Sequence, residues 1–130
     1  MGRPATRAST ILVVDDEPDI GLILRIWLES AGCEVLEANT GETALSILAR
    51  ERPDLVILDL RMPDMEGWAL LDEIRSDPLT EETPVVISSA ASGRAAARRA
   101  AEQGCSYVTK PFDPAKLLRA IEMGLGHEVW

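Results

Sequence analysis

Two unbroken apolar segments that end in acidic residues decide the fold: residues 11–16 read Ile-Leu-Val-Val-Asp-Asp, and residues 55–59 read Leu-Val-Ile-Leu-Asp. Continuous runs of Val, Ile and Leu are typical of parallel strands buried on both faces. Each run therefore leaves its carboxylates at the carboxyl end of a strand, where open α/β sheets bind ligands. Asp15, Asp16 and Asp59 would repel one another at that edge unless a cation joined them, which predicts a Mg²⁺ site.

Strand and helix signals alternate five times along the chain, and Lys110 ends the last strand, where an ammonium beside the acids suits phosphate. Pro18 and Pro114 suit the first turn of a helix, and Thr40 and Asp113 suit the N-cap position. Further strands are predicted at residues 33–38, 84–89 and 107–110, and helices at residues 18–31, 40–50, 68–75, 92–103 and from 114 onward. Repeated strand–helix units imply a parallel sheet between two layers of helices.

The composition is that of one globular domain of 130 residues with a net charge of −9 and a pI near 4.5. This charge argues against nucleic-acid binding by the domain alone. No apolar stretch approaches the roughly 20 residues of a membrane span, and the first ten residues lack a signal-peptide core, so cytoplasmic location is the default. We expect a flexible tail at residues 1–9, the domain at residues 10–125 and a short tail at residues 126–130.

Four motifs, each at the carboxyl end of a predicted strand, carry a family resemblance: VDDE at residues 14–17, LDLRMP at 58–63, SA at 89–90 and KPF at 110–112. In this order they closely resemble the receiver domain of two-component response regulators, over about residues 10–125. The resemblance implies a flavodoxin-like (βα)₅ sandwich of three layers, with a five-stranded parallel sheet in the order 2-1-3-4-5. It also places Cys33 and Cys105 on opposite sheet edges, too far apart for a disulfide bond.

The resemblance also implies a set of site residues. Asp59 would be phosphorylated, Ser89 and Lys110 would contact the phosphoryl oxygens, and Lys110-Pro111 would be a cis peptide. Mg²⁺, with Mn²⁺ as the alternative ion, would be held by Asp15, Asp16, Asp59 and the backbone carbonyl of Arg61. In relatives the positions of Arg61 and Ala91 tune hydrolysis of the phosphoryl group, and these two residues would act in opposite directions.

A conformational change would leave the site through Ser89, which moves toward the phosphoryl group, and Tyr107, which turns inward behind it. The output surface would be the fourth helix, fifth strand and fifth helix. The fourth helix contains no large aliphatic residue, so it should dock weakly and move more than the first and fifth helices. Its arginines, Arg94, Arg98 and Arg99, form either a solvated face or a surface for an acidic partner.

The partners implied are a sensor histidine kinase or histidine phosphotransfer protein upstream, and a downstream protein or output domain. Direct nucleic-acid or membrane binding is not expected, and dimerisation on phosphorylation stays open, as does whether the domain stands alone or belongs to a longer regulator.

Three other functions compete with the receiver-domain interpretation. A phosphatase resembling haloacid dehalogenases fits poorly because Arg61 follows Asp59 where a second acid is needed. A nucleotide- or flavin-binding module would not place Asp15, Asp16 and Glu17 in its first turn. A phosphorylation-independent scaffold of the same fold remains the alternative.

Overall fold

The computed structural model describes residues 8–90 and 94–129, in which five strands and five helices alternate along the chain. The strands are β1 (Thr10–Val14), β2 (Glu34–Ala38), β3 (Leu55–Asp59), β4 (Val85–Ser89) and β5 (Ser106–Thr109). The helices are α1 (Pro18–Ser30), α2 (Gly41–Arg50), α3 (Gly67–Ser76), α4 (Arg94–Glu102) and α5 (Pro114–Leu125).

All five strands run parallel in one sheet with the order β2-β1-β3-β4-β5. This confirms the predicted flavodoxin-like fold and its strand order. The first strand lies between β2 and β3, so the chain changes direction across the sheet after β2. The carboxyl ends of β1 and β3 are neighbours at this switch point, where open α/β sheets leave a crevice for ligands.

Two apolar layers cover the two faces of the sheet, as the continuous hydrophobic runs predict. On one face, alternate residues of the strands pack against α1 and α5 through Leu24, Leu28, Leu117 and Ile121. On the other face they pack against α2, α3 and α4. Both faces are therefore closed to water, and the polar ends of the central strands are left as the place for chemistry.

The helix signals in the sequence have the expected local geometry. Thr40 caps α2 by accepting a hydrogen bond from the backbone N–H of Thr43 at 3.0 Å, and Asp113 caps α5 through the N–H of Ala115 at 3.0 Å. Gly32 follows the end of α1 with a φ of +90°, a left-handed conformation that favours glycine. These contacts fix where the helices begin and end relative to the strand ends.

Several predicted boundaries shift by one or two residues. The fifth strand ends at Thr109, which leaves Lys110 just beyond it, and β4 begins at Val85. The fourth helix is described over Arg94–Glu102, while the predicted start at Ser92 lies outside the described residues, as do Ala91 and residues 1–7 and 130. The peptide bond between Lys110 and Pro111 is cis, as the resemblance implied.

Both cysteines are buried free thiols, as the sequence predicts. Cys33 precedes β2 and Cys105 precedes β5, the two outer strands of the sheet. Burial raises the pKa of both thiols. They therefore pack as small apolar groups rather than as reactive thiolates.

The weak docking predicted for the fourth helix is visible in its burial. Within α4, Ala100 is the only buried residue, whereas α1 buries Leu24 and Leu28 and α5 buries Leu117 and Ile121. Because opening free energy follows buried apolar contact, we expect amide hydrogens of α4 to exchange about tenfold or more faster than those of α1 and α5. Hydrogen exchange read by mass spectrometry or NMR measures this, and uniformly slow exchange in all three helices would contradict it.

Candidate functional site: an acidic cluster closed by a lysine

The candidate site lies where four adjacent strands end. Asp15 follows the last residue of β1, Asp59 is the last residue of β3, Ser89 ends β4, and Lys110 follows β5. Because these parallel strands are neighbours in the sheet, their ends meet at one edge. The structure thus brings together four predicted site residues that are up to 95 positions apart in the sequence (110 − 15 = 95).

The ammonium group of Lys110 lies among three carboxylates. Its Nζ is 2.6 Å from Oδ2 of Asp15, 3.2 Å from Oδ2 of Asp59 and 3.3 Å from Oε1 of Glu17. The backbone N–H of Lys110 donates to the carbonyl of Ser89 at 2.9 Å, which anchors the start of the side chain at the end of β4. One cation therefore joins acids that come from two separate strands.

Two of these carboxylates are almost completely buried: Asp15 is 2% exposed and Asp59 is 4% exposed. Burial raises the pKa of Asp15 above the usual value, against the opposing hydrogen bond and charge of Lys110. Burial also raises the pKa of Asp59, and the nearby Asp15 charge adds to this, while the N–H of Arg61, which donates at 3.2 Å, opposes it. Burial thus outweighs the lysine, and the pKa of both carboxyls stays above the usual value.

The pKa of Lys110 moves in the direction that keeps it charged. Burial alone would lower it, but hydrogen bonding and charge interaction with Asp15, and then with Asp59, outweigh burial and raise it. Lys110 is thus a fixed cation at neutral pH. Its side chain is only 10% exposed, and Asp59 is one of the groups that it contacts.

Carboxylate oxygens suited to a hard divalent cation are also present. One oxygen each from Asp15, Asp16 and Glu17 lies within 4.8 Å of the others, with Asp15 buried and the other two exposed. Oxygen ligands with room for several waters are what Mg²⁺ prefers in proteins. The donor set fits such an ion. This cluster includes Glu17, which the sequence did not predict as a metal ligand. Asp59 and the carbonyl of Arg61, which it did predict, lie outside the cluster and remain predictions.

Sequence reasoning gave no role to three residues that support the site. Glu17 contacts Lys110, and its own N–H donates to Oδ1 of Asp15 at 2.9 Å. Asn39, at the end of β2, donates from Nδ2 to the backbone carbonyl of Asp15 at 2.8 Å. Asp64 accepts from the N–H groups of residues 41 and 42 at 2.8 and 2.9 Å, which lowers its pKa and ties the loop after Asp59 to α2. No signal in the sequence predicts the Asp64 contact, because the two N–H groups that it accepts from lie 23 and 22 positions away.

The proposed switch residues lie where the sequence placed them. Ser89 is 1% exposed at the end of β4. Tyr107 pairs with Ile87 of β4 and is half-buried, with its side chain packed on the layer that contains α4. Both residues have interactions within the fold.

The three arginines of α4 are all exposed, but they differ in their contacts. The guanidinium carbon of Arg99 lies 4.4 Å from the centre of the Trp68 ring, which is cation–π geometry. Trp68 itself packs against the apolar core with only part of its surface. Arg99 is therefore a contact between α4 and α3 as well as a member of the basic surface.

Comparison with known proteins agrees with this geometry. The family model for the response regulator receiver domain matches residues 11–122. The chain is 39% identical over 113 residues to an uncharacterised 14.6-kDa protein of Leptolyngbya boryana, covering 86% of each. It is 34% identical over 114 residues to the phosphate regulon transcriptional regulatory protein PhoB of Pseudomonas aeruginosa, covering 87% of this chain but 50% of PhoB.

Among solved structures, the chemotaxis response regulator CheY4 of Vibrio cholerae superposes with a TM-score of 0.84 at 28% identity, covering 92% of this chain and all of CheY4 (100%). Together with the motifs and the strand-end cluster, these similarities define the class of protein. The chain belongs to the response regulator receiver domains of two-component signal transduction. Within the described residues, no helix is both long and apolar enough to cross a membrane.

The raised pKa of Asp59 leads to a stability prediction. A carboxyl whose folded pKa exceeds its unfolded value of about 3.9 binds more protons in the native state, so stability falls as pH rises through the folded pKa. Without divalent cations, we therefore expect Asp59→Asn to be more stable than the parent chain at pH 7. The difference should close as the pH approaches 4, measured by urea unfolding across pH.

The matched control is Asp72→Asn, which removes the same charge from an exposed position on α3. An equal stabilisation in both variants would assign the effect to net charge alone. A gain in Asp59→Asn that does not change with pH would show that its carboxylate is not the source.

Proposed function

We propose that this receiver domain accepts a phosphoryl group on Asp59 from the phosphohistidine of a sensor kinase or histidine phosphotransfer protein. The observation that carries the proposal is the Lys110 ammonium, held within 3.3 Å of both buried carboxylates. A buried acid pair of raised pKa with a cation beside it marks a candidate functional site, because active sites use burial and neighbouring like charges to shift pKa values. The domain acts in signalling, and its only chemistry is on its own aspartate.

In the proposed step an Oδ of Asp59 attacks phosphorus, an O–P bond forms, and the P–N bond to the donor histidine breaks. Two anions meet in that step, so positive charge must be supplied where the equatorial oxygens gather charge. Lys110 supplies one charge by moving from Asp59 Oδ2 to a phosphoryl oxygen. When bound, Mg²⁺ or Mn²⁺ held by Asp15, Asp16, Asp59 and the Arg61 carbonyl would supply the remaining positive charge.

Ser89 and Tyr107 would then carry the change to the α4-β5-α5 surface. Ser89 is buried next to the strand that ends in Asp59, and its carbonyl already holds the backbone of Lys110 at 2.9 Å. Its hydroxyl would donate to a phosphoryl oxygen. Tyr107 is only half-buried, so an inward turn would bury more of its ring.

A downstream partner that binds the α4-β5-α5 surface would meet positive charge on an acidic protein. Arg94 and Arg98 are exposed on α4, and an open groove of about 520 Å³ beside β5 is lined by Tyr107, Lys116 and Arg119, among others. Basic side chains around a partly apolar groove favour an acidic partner segment. A solvated helix face is the competing interpretation, and Arg98→Glu separates the two through partner affinity.

The upstream partner would approach across α1, which begins directly after the acidic turn. Leu22, Ile23 and Ile26 are exposed on this helix by 54%, 42% and 59%. Three large aliphatic residues at helical spacing form an apolar surface that suits another helix. A helical partner at this position could present its phosphohistidine to Asp59. Such partners act in the cytoplasm, which is where we place the domain.

Intact mass after incubation with Mg²⁺ and a small phosphodonor such as acetyl phosphate tests the proposal. We expect the parent chain to gain the mass of one phosphoryl group, about 80 Da, only with the divalent cation, because the site needs its charge. Asp59→Asn should gain none, and Asp72→Asn should behave as the parent chain. An adduct on Asp59→Asn would mean another nucleophile, and no adduct in any protein would favour a phosphorylation-independent scaffold.

The Ser89 switch has its own test, because Tyr107 is the only tyrosine in the chain. Fluorotyrosine incorporated there gives one ¹⁹F resonance, which we expect to shift on phosphorylation in the parent chain. Ser89→Ala should still accept the phosphoryl group but lose most of that shift, because no hydroxyl then draws the end of β4 toward it.

Ser88→Ala is the matched control, since Ser88 is the adjacent residue, is equally buried, and its hydroxyl finds no hydrogen-bond partner among the described residues. It should keep the resonance shift. A full shift in Ser89→Ala would remove Ser89 from the switch, while loss in both serine variants would indicate a general effect on β4.

A further inference from the structure

The fourth helix packs on β5 through small side chains, and it has one further side-chain contact with α3. Ala100 is its only buried residue, and the other alanines of α4 are half-buried or exposed. The contact is the guanidinium of Arg99 over the ring of Trp68 at 4.4 Å. Because Trp68 is itself packed on the apolar layer that covers β3 and β4, Arg99 connects α4 to the body of the fold.

The other end of this connection reaches the backbone of Asp59. Gly67 begins α3 directly before Trp68, and its N–H donates to the carbonyl of Leu60 at 2.9 Å. A Cβ at Gly67 would lie 2.5 Å from the carbonyl oxygen of Asp59 and 2.7 Å from Cα of Leu60. The first turn of α3 is therefore in direct contact with the residue that would be phosphorylated, with no space between them.

These contacts form a continuous series from Asp59 through Gly67 and Trp68 to Arg99. We propose that the stacking of Arg99 on Trp68 is a coupling contact through which α4 responds to the state of Asp59, independently of Ser89 and Tyr107. The inference rests on the proposed phosphorylation of Asp59. A movement of the β3 end on phosphorylation shifts the first turn of α3, changes how Trp68 presents its ring, and so changes how firmly Arg99 holds α4.

A fixed surface contact is the alternative, in which Arg99 stabilises α4 equally in both states. The two differ in one measurable respect. A coupling contact changes the protection of α4 differently before and after phosphorylation, whereas a fixed contact changes it by the same factor in both states. The experiment must therefore compare variants in both states and not only in one.

Amide exchange of α4 is measured in the full chain with and without Mg²⁺ and acetyl phosphate, and intact mass of the same samples gives the extent of phosphorylation. In a Trp27→Phe, Trp130→Phe background, Trp68 alone reports ring environment by acrylamide quenching. We compare intact Arg99 with Arg99→Ala, with Arg99→Lys, which keeps the charge, and with Arg98→Ala as the exposed neighbour.

With Arg99 present, phosphorylation should change α4 exchange by about two- to fivefold, the factor that an exposed cation–π contact is worth. It should also change the quenching of Trp68. Arg99→Ala should be phosphorylated to the same extent but lose most of the change in α4. Arg98→Ala should keep it, and Arg99→Lys should keep part of it.

An unchanged response of α4 in Arg99→Ala would overturn the inference, as would equal acceleration of exchange in both states. Loss in Arg98→Ala as well would assign the effect to helix charge and overturn it too. These results leave the proposed function intact, because the phosphoryl adduct would still be present. Absence of the adduct in every protein would instead overturn the proposed function, and the inference with it.

Discussion

The ion pair of Lys110 with Asp15 and Asp59 is the interaction on which the site depends, since two buried carboxylates would otherwise face each other without a counter-charge. Removing the lysine from such a buried set costs about 3–5 kcal/mol, because both carboxylates then stay in the fold without a counter-charge. The two acids lie at the ends of the neighbouring strands β1 and β3, and the lysine, which follows β5, reaches them across the end of β4 in the same parallel sheet. The ion pairs of Lys110 thus depend on the order of the strands, and that order depends on the apolar runs that form the strands.

Much of this arrangement follows from the sequence, for identifiable reasons. Residues 11–14 and 55–58 are apolar without interruption, which is typical of strands covered on both faces, so the three-layer fold and the meeting of Asp15 with Asp59 could be predicted. Caps such as Thr40 act within a few residues and are visible in the sequence for that reason. The exact residues at which strands end were harder to predict from the sequence. Lys110 continues a β-like pattern, and only the pairing of β5 with its neighbour ends the strand at Thr109.

Several contacts between side chains of distant elements could not be predicted, since no periodicity records them. Arg99 and Trp68 are 31 positions apart (99 − 68 = 31), and each looks like an ordinary surface or packing residue in its own helix. Asn39 supports Asp15 from a neighbouring strand in the same way, and only the register of β1 with β2 brings them together. Glu17 was part of a recognised motif, yet its contact with Lys110 depends on the lysine's reach across the sheet edge.

The same charge balance explains why a weakly held helix is useful here. A phosphoryl group on Asp59 would bring a charge of about −2 to a place where carboxylates already outnumber the one ammonium. Lys110 would then divide its contacts between the carboxylates and the phosphoryl oxygens, and the strand ends would adjust. Such an adjustment is small, and a helix anchored by several buried aliphatic residues would not shift in response to it. The helix α4 buries only Ala100. A single exposed cation–π or hydrogen-bonding contact is worth about 1 kcal/mol, and a change of that size would be enough to alter the fraction of molecules in which α4 is docked. The alanine-rich composition of α4 would therefore set the sensitivity of the proposed output surface.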